Sequence, residues 1–155
     1  MENIMNSLVD SVKSITMIML IIAGAGALKQ VMADSGISDY VGSLLSASSW
    51  SPIFLAWGIA ALIRVSVGSA TIAGLTTAGI ILPMVATSGV RPELLVLATG
   101  AGSLMLSHVN DSGFWMFKEF FNLSIKETFR SWTVMETIVS VVGLIGVYIL
   151  HLVIS

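Results

Sequence analysis

Apolar stretches dominate this chain, and nearly every one is interrupted before it spans a bilayer. From Met1 to Lys13, Ile4, Leu8 and Val12 recur at i, i+4 and i+8, which predicts a short amphipathic helix. The apolar run Ser14 to Leu28 that follows has 15 residues, about 22 Å of helix against a hydrocarbon core of ~30 Å. It closes on Gly24 and Gly26, so it either borrows length from the preceding helix or stops partway. Gln30 to Ser49 holds Asp34, Gly36, Asp39, Gly42 and several serines, and reads as an interfacial turn with a short amphipathic helix.

Trp50-Ser51-Pro52 opens the next helix, with tryptophan at the interface and proline in the first turn. That helix runs to Ile63 and meets Arg64. From Val65 to Val90 no residue is charged, yet Gly68, Gly74, Gly79 and Pro83 fall inside the stretch. The expectation is a break across Arg64 to Ser69, with a helix resuming at about Ala70. Arg91-Pro92-Glu93 predicts a turn. Leu94 to Leu106 is a third apolar segment, rich in small residues, ending in the polar run Ser107 to Trp115. Lys118, Glu119, Lys126, Glu127 and Arg130 read as a solvated loop, and Glu136 as an interfacial residue. Thr137 to Ser155 gives 19 uncharged residues, a conventional last span.

Composition turns these runs into a class. Apolar residues make up 55% of the chain and charged residues 10%, where a soluble domain carries roughly 25% charged. Mean hydropathy is +0.95. The fold expected is an all-α membrane protein, a single domain over residues 1–155 with roughly four to six transmembrane or re-entrant helical segments. At least one helix is interrupted. A net charge of −2 offers no basic patch for nucleic acid. With no cysteine, disulfides, thiolate metal sites and cysteine nucleophiles are excluded, and two distant histidines make no metal site. No nucleophile motif or phosphate loop appears, so the chain reads as neither an enzyme nor a cofactor protein. Ala23-Gly24-Ala25 mimics a signal cleavage site, but Glu2 and Asp10 against Lys13 are not the basic region that such a signal needs. Basic residues concentrate between 118 and 130, which places that segment in the cytoplasm and Ser155 outside.

The candidate chemistry sits at the two interruptions. Irregular backbone at membrane depth is tolerated only when buried in protein or lining a water-filled cavity. Secondary transporters use such broken helices, with half-helix N-termini aimed at anionic groups. Ser69 and Thr71 can cap or line one restart, and Asn110, Asp111 and Ser112 the other. For Asp111 two readings stand, a helix N-cap or a proton or substrate role at a polar site in an apolar chain. His108 either relays protons near neutral pH or hydrogen-bonds a nearby carbonyl. Arg64 either pairs inside the protein, with a substrate carboxylate or a structural partner, or snorkels to headgroups. Met17, Met19, Met105 and Met116 read as packing or lipid-facing residues.

Three stretches carry a family resemblance: Arg64 to Gly79 (RVSVGSATIAGLTTAG), Ser107 to Asn122 (SHVNDSGFWMFKEFFN) and Ser131 to Ile138 (SWTVMETI). With Met5 to Ile15 (MNSLVDSVKSI), they make the chain resemble the gluconate permease family over nearly all of its length. Some members of that family carry proline where this chain has Ser112. The resemblance implies a multi-pass carrier of the bacterial inner membrane, built on inverted repeats, that couples gluconate or a related small sugar acid to protons. It covers only the C-terminal third or so of a member, so the N-terminal repeat is missing. In that light Arg64, Ser69, Thr71 and Asn110 become candidate substrate-binding residues, and Asp111 and His108 candidates for proton coupling. The partners implied are the acid, protons and the lipid bilayer, and either a separate chain carrying the N-terminal repeat or a homo-oligomer. D-serine or another small acid is the alternative substrate. A truncated remnant, or a subunit that needs a partner chain, is the alternative to autonomous transport.

Overall fold

A computed structural model describes residues 50–85 and 88–154, with isolated positions before residue 37. The expected amphipathic helix over Met1 to Lys13, the run Ser14 to Leu28 and the segment Gln30 to Ser49 lie outside the continuously described residues. Among the described residues every regular element is a helix.

Helix α1 (Pro52–Val67) starts on proline, whose fixed φ and missing N–H suit a first helical turn. Its buried stripe, Ile53, Ala56, Ile59, Ile63 and Val67, steps by three or four residues and faces the core. The helix passes through Arg64 instead of breaking there. It ends at Gly68, which takes a left-handed φ of +70° while its N–H bonds the Arg64 carbonyl. The expected break over Arg64 to Ser69 thus narrows to Gly68-Ser69, because glycine is the residue that enters this conformation without a Cβ penalty. Helix α2 (Ala70–Val85) resumes at the position read from the sequence.

Helix α3 (Pro92–Gly102) begins inside the tripeptide expected as a turn. Arg91 is its N-cap residue, and Pro92 and Glu93 form its first turn. The chain reverses just before it, where Gly89 has φ +68°. The segment Leu94 to Leu106 is helical only to Gly102 and then unwinds through residues 103–106.

Helix α3 is held between α1 and α6 (Val134–Ile154). Gly102 lies so close to α1 that a Cβ there would collide with the Trp57 carbonyl and sit 2.9 Å from the Ala60 Cβ. On the other face a Cβ at Gly143 would come 2.9 Å from that of Ala101. Small residues at such crossings let backbones approach, the usual basis of helix association in membranes. Trp57 adds a hydrogen bond from Nε1 to the Ser140 hydroxyl, 3.1 Å, joining α1 to α6.

The charged stretch 118–130 is mostly helix, which corrects the expected loop. Helix α4 (Ser112–Phe120) carries a Lys118–Glu119 pair at 2.7 Å. Helix α5 (Ile125–Thr128) opens on a capping box in which the Ser124 hydroxyl accepts from the Glu127 N–H and the Glu127 carboxylate accepts from the Ser124 N–H. A π-helical turn, Phe129–Thr133, then runs straight into α6. The last helix therefore starts well before Thr137. Ile125–Ile154 forms 30 continuous helical residues, long and apolar enough to cross a membrane, at about 45 Å of length. Val139, Val142, Ile145, Ile149, Leu152 and Val153 are exposed along it. Such a surface suits hydrocarbon and not water, which is consistent with a membrane protein. Lys126, Glu127 and Arg130 are exposed, as expected of solvated charges.

Candidate functional site

The two interruptions meet in space. Arg64, 4% exposed in the last turn of α1, reaches Asp111 at the start of α4, with Nη2 to Oδ2 at 2.5 Å. Asp111 is a helix N-cap and an ion-pair partner at once. Its Oδ1 accepts from the Gly113 N–H at 3.0 Å as an N-cap, leaving Oδ2 to the guanidinium. Ser107, 1% exposed, also donates its hydroxyl to Oδ2 at 2.5 Å. A buried ion pair offsets its desolvation only when further hydrogen bonds satisfy its atoms. Asp111 is supplied in that way, whereas Arg64 is not. Its Nε is buried and without an acceptor among the described residues.

Asn110 joins the two breaks through backbone. Its Nδ2 donates to the Val65 and Ser66 carbonyls at 2.8 and 3.3 Å. These lie in the last turn of α1, where carbonyls have no helical partner. The Asn110 carbonyl in turn packs against Gly68, so closely that a Cβ there would overlap it. One glycine thus meets two demands, a left-handed φ and contact with the facing loop.

His108 is half-buried, and its Nδ1 accepts from the Asn110 N–H at 3.4 Å while its carbonyl accepts from the Asp111 N–H at 2.8 Å. It shapes the loop and lies within electrostatic reach of Arg64 and Asp111. Ser69 is buried and caps α2, accepting from the Ile72 N–H at 3.3 Å. Thr71 is exposed on the first turn of α2. Arg64, His108, Asn110 and Asp111 are brought together, Ser69 borders them through Gly68, and Thr71 points away from the protein.

Four residues of this cluster escaped the sequence reading. Trp132 donates Nε1–H to the Ser107 hydroxyl at 2.7 Å, and the Thr133 hydroxyl donates to the Ser107 carbonyl at 2.5 Å. Both belong to the π turn, a feature that recurs at functional sites. Glu136, expected at the interface, is half-buried and within electrostatic reach of Arg64 and Asp111. The available signal was the run SWTVME itself, polar side chains inside an otherwise apolar helix. A cleft of about 540 Å³ beside Gly113, Phe117 and Trp132 has apolar, aromatic walls and offers little to a polar ligand. Among the described residues no group of three His, Cys, Asp or Glu side chains could hold a metal ion.

The sequence pattern of the GntP family permease matches residues 1–153. A high-affinity gluconate transporter of Escherichia coli K12 is 53% identical over 99% of this chain and 35% of its own length. An L-idonate transporter of the same organism is 53% identical over 94% of the chain and 33% of its own length. A gluconate permease of Bacillus subtilis is 52% identical over 99% and 34%. The chain spans about a third of the length of these relatives. No solved structure matches it. By the family pattern and by these identities over almost every residue, the chain belongs to the GntP family of permeases.

Proposed function

We propose that this chain is the C-terminal part of a proton-coupled permease for gluconate or a related small sugar acid in a bacterial inner membrane. The observation that carries the reading is the buried Arg64–Asp111 pair at the meeting of two helix breaks. Arg64 holds one acceptor on Nη2 and has none on Nε. A planar guanidinium takes a carboxylate through two parallel N–H donors. While Asp111 is ionised it competes with a substrate carboxylate for Arg64. A proton on Asp111 removes its charge, loosens the pair and leaves the fork to the anion. Loss of the proton restores the pair and expels the anion, so proton and substrate move together.

The remaining candidates fit around that step. The N-terminus of α2 presents a positive dipole end beside Ser69. Asn110 and Thr71 supply polar groups for sugar hydroxyls, Thr71 from the side left open to the remainder of the transporter. His108 lies on the proton path to Asp111. The relatives named for gluconate and for L-idonate favour a sugar acid over D-serine. The rest of the carrier corresponds to the remaining length of those relatives, whether on the same polypeptide, on a separate chain or in a second copy of this one. The alternative reading is a remnant that does not transport.

The test is accumulation of labelled gluconate in cells lacking gluconate uptake. The chain is expressed alone and together with the N-terminal part of the Bacillus relative, each with and without an uncoupler. Uncoupler-sensitive uptake in either arm, competed by L-idonate and not by D-serine, is the expected result. Absence of uptake in both arms, with protein confirmed in the membrane, favours the remnant.

A further inference from the structure

We propose that Ser107 is a positioning residue that passes the charge state of Asp111 to the last helix through Trp132. This rests on the proton-coupling role given to Asp111 above. The direction of every bond follows from donor chemistry. An indole Nε1–H only donates and an ionised carboxylate only accepts. The Ser107 hydroxyl therefore accepts from Trp132 at 2.7 Å and gives its own hydrogen to Asp111 Oδ2 at 2.5 Å. One hydroxyl thus joins an indole of the last helix to the atom that Arg64 holds.

A proton from the bulk that adds to a carboxylate oxygen of Asp111 changes this arrangement. If Oδ2 carries the hydrogen, it donates to the Ser107 oxygen and the serine hydrogen turns to another acceptor; if Oδ1 carries it, Oδ2 still accepts, but as an uncharged carbonyl in a weaker bond. The lone pair offered to Trp132 is reoriented with it. The π turn places Trp132 and Thr133, adjacent in sequence, on the same serine, one on its side chain and one on its carbonyl. Thr133 fixes the backbone of Ser107, so reorientation falls on the hydroxyl and is felt by the indole. Helix α6 continues directly from that turn, which gives a proton at Asp111 a mechanical outlet.

Other ionisable groups face the same cluster. Arg64 approaches from α1, His108 from the loop and Glu136 from α6. Lys118 and Glu119 pair with each other about two turns along α4. The test must separate them from Asp111.

The purified chain is labelled with 5-fluorotryptophan, and the fluorine resonance of Trp132 is assigned by its loss in Trp132→Phe. Its position is followed with pH. The expected result is a resonance that titrates in the wild type, in His108→Gln and in Glu136→Gln. It should stop titrating in Asp111→Asn and in Ser107→Ala, and titrate again in Ser107→Thr, which keeps the hydroxyl. Titration that persists in Ser107→Ala overturns the relay, as does titration lost in His108→Gln but kept in Asp111→Asn. If Ser107→Ala does not fold, Ser107→Thr and Asp111→Asn decide the matter alone. A resonance that never titrates also refutes it. The readout needs no transport, so failed uptake with a titrating Trp132 sinks the function proposed above and leaves the relay standing. In a transporting assembly Ser107→Ala should shift the pH profile of uptake, whereas a merely structural serine would lower the amount of active protein at every pH.

Discussion

The two helix breaks are built differently, and each is completed by the other. The first is two uncharged residues, Gly68 and Ser69, between helices that both stay long. The second runs from residue 103 to Asp111 and carries every polar side chain that the first lacks. Freed carbonyls at the end of α1 are met by the Asn110 amide of the second break. The carboxylate of the second break is met by Arg64, one turn before the first. In a bilayer, water is not on hand to satisfy either one. An interruption that would be costly alone becomes tolerable when two face each other, and a polar centre is the consequence.

The sharpest way to break this pairing is to remove one charge. Arg64→Gln leaves the Asp111 carboxylate buried with only Ser107 and Gly113 as donors. Asp111→Asn leaves the Arg64 guanidinium buried without its counter-charge. Each single change should cost about 3–5 kcal/mol of stability. Arg64→Gln combined with Asp111→Asn should cost less than the sum of the two, because neither charge is left behind. Unfolding of the four proteins in the same detergent measures this coupling. Additive losses would mean that the breaks are stabilised separately. Asp111→Asn should also abolish uncoupler-sensitive uptake in an assembled transporter, and unchanged uptake would remove Asp111 from coupling.

Gly68→Ala attacks the same contact from the backbone. It places a Cβ in a left-handed conformation and against the Asn110 carbonyl. The two effects together should cost roughly 3 kcal/mol, read as a lower unfolding midpoint. A loss no larger than that of an ordinary exposed-helix substitution would show that the loops can part without consequence. Asn110→Ala is the milder form of the same experiment. It removes the donor to the Val65 and Ser66 carbonyls and leaves their backbone in place, at a cost of about 2 kcal/mol. Asn110→Asp should be no better, since a carboxylate offers those carbonyls no hydrogen.

Comparing the breaks also shows which features a sequence exposes. The restart at Ala70 and the cap at Asp111 were legible because glycine, serine and aspartate act on their immediate neighbours. Pairing of Arg64 with Asp111 was not, since 47 residues separate them and either could have met substrate or lipid instead. The segment 118–130 was misread for a different reason. Its charges suggested a loop, while the capping box of Ser124 and Glu127, a local helix-start signal, was not read. The π turn is invisible to a 3.6-residue periodicity by construction. Trp132 and Thr133 consequently looked like the approach to a membrane span, although they hold Ser107 in place.

The smallest expected effect on the fold carries the most information about which side of the first break faces substrate. Thr71 is exposed two residues past Ser69, on the first turn of α2, turned away from the packed core. Thr71→Val keeps the branched shape and deletes the hydroxyl, so stability should stay within about 0.5 kcal/mol of wild type. If that exposed face meets the remainder of the transporter around the bound acid, the hydroxyl is worth an ordinary hydrogen bond of about 1 kcal/mol. The KM for gluconate should then rise roughly fivefold with kcat unchanged, because an interaction equal in ground and transition states is lost. An unaltered KM would confine the binding site to the buried side of the break, around Arg64 and Asn110. In that case the open face of α2 serves packing against the rest of the transporter, and the two breaks would differ in function as well as in construction.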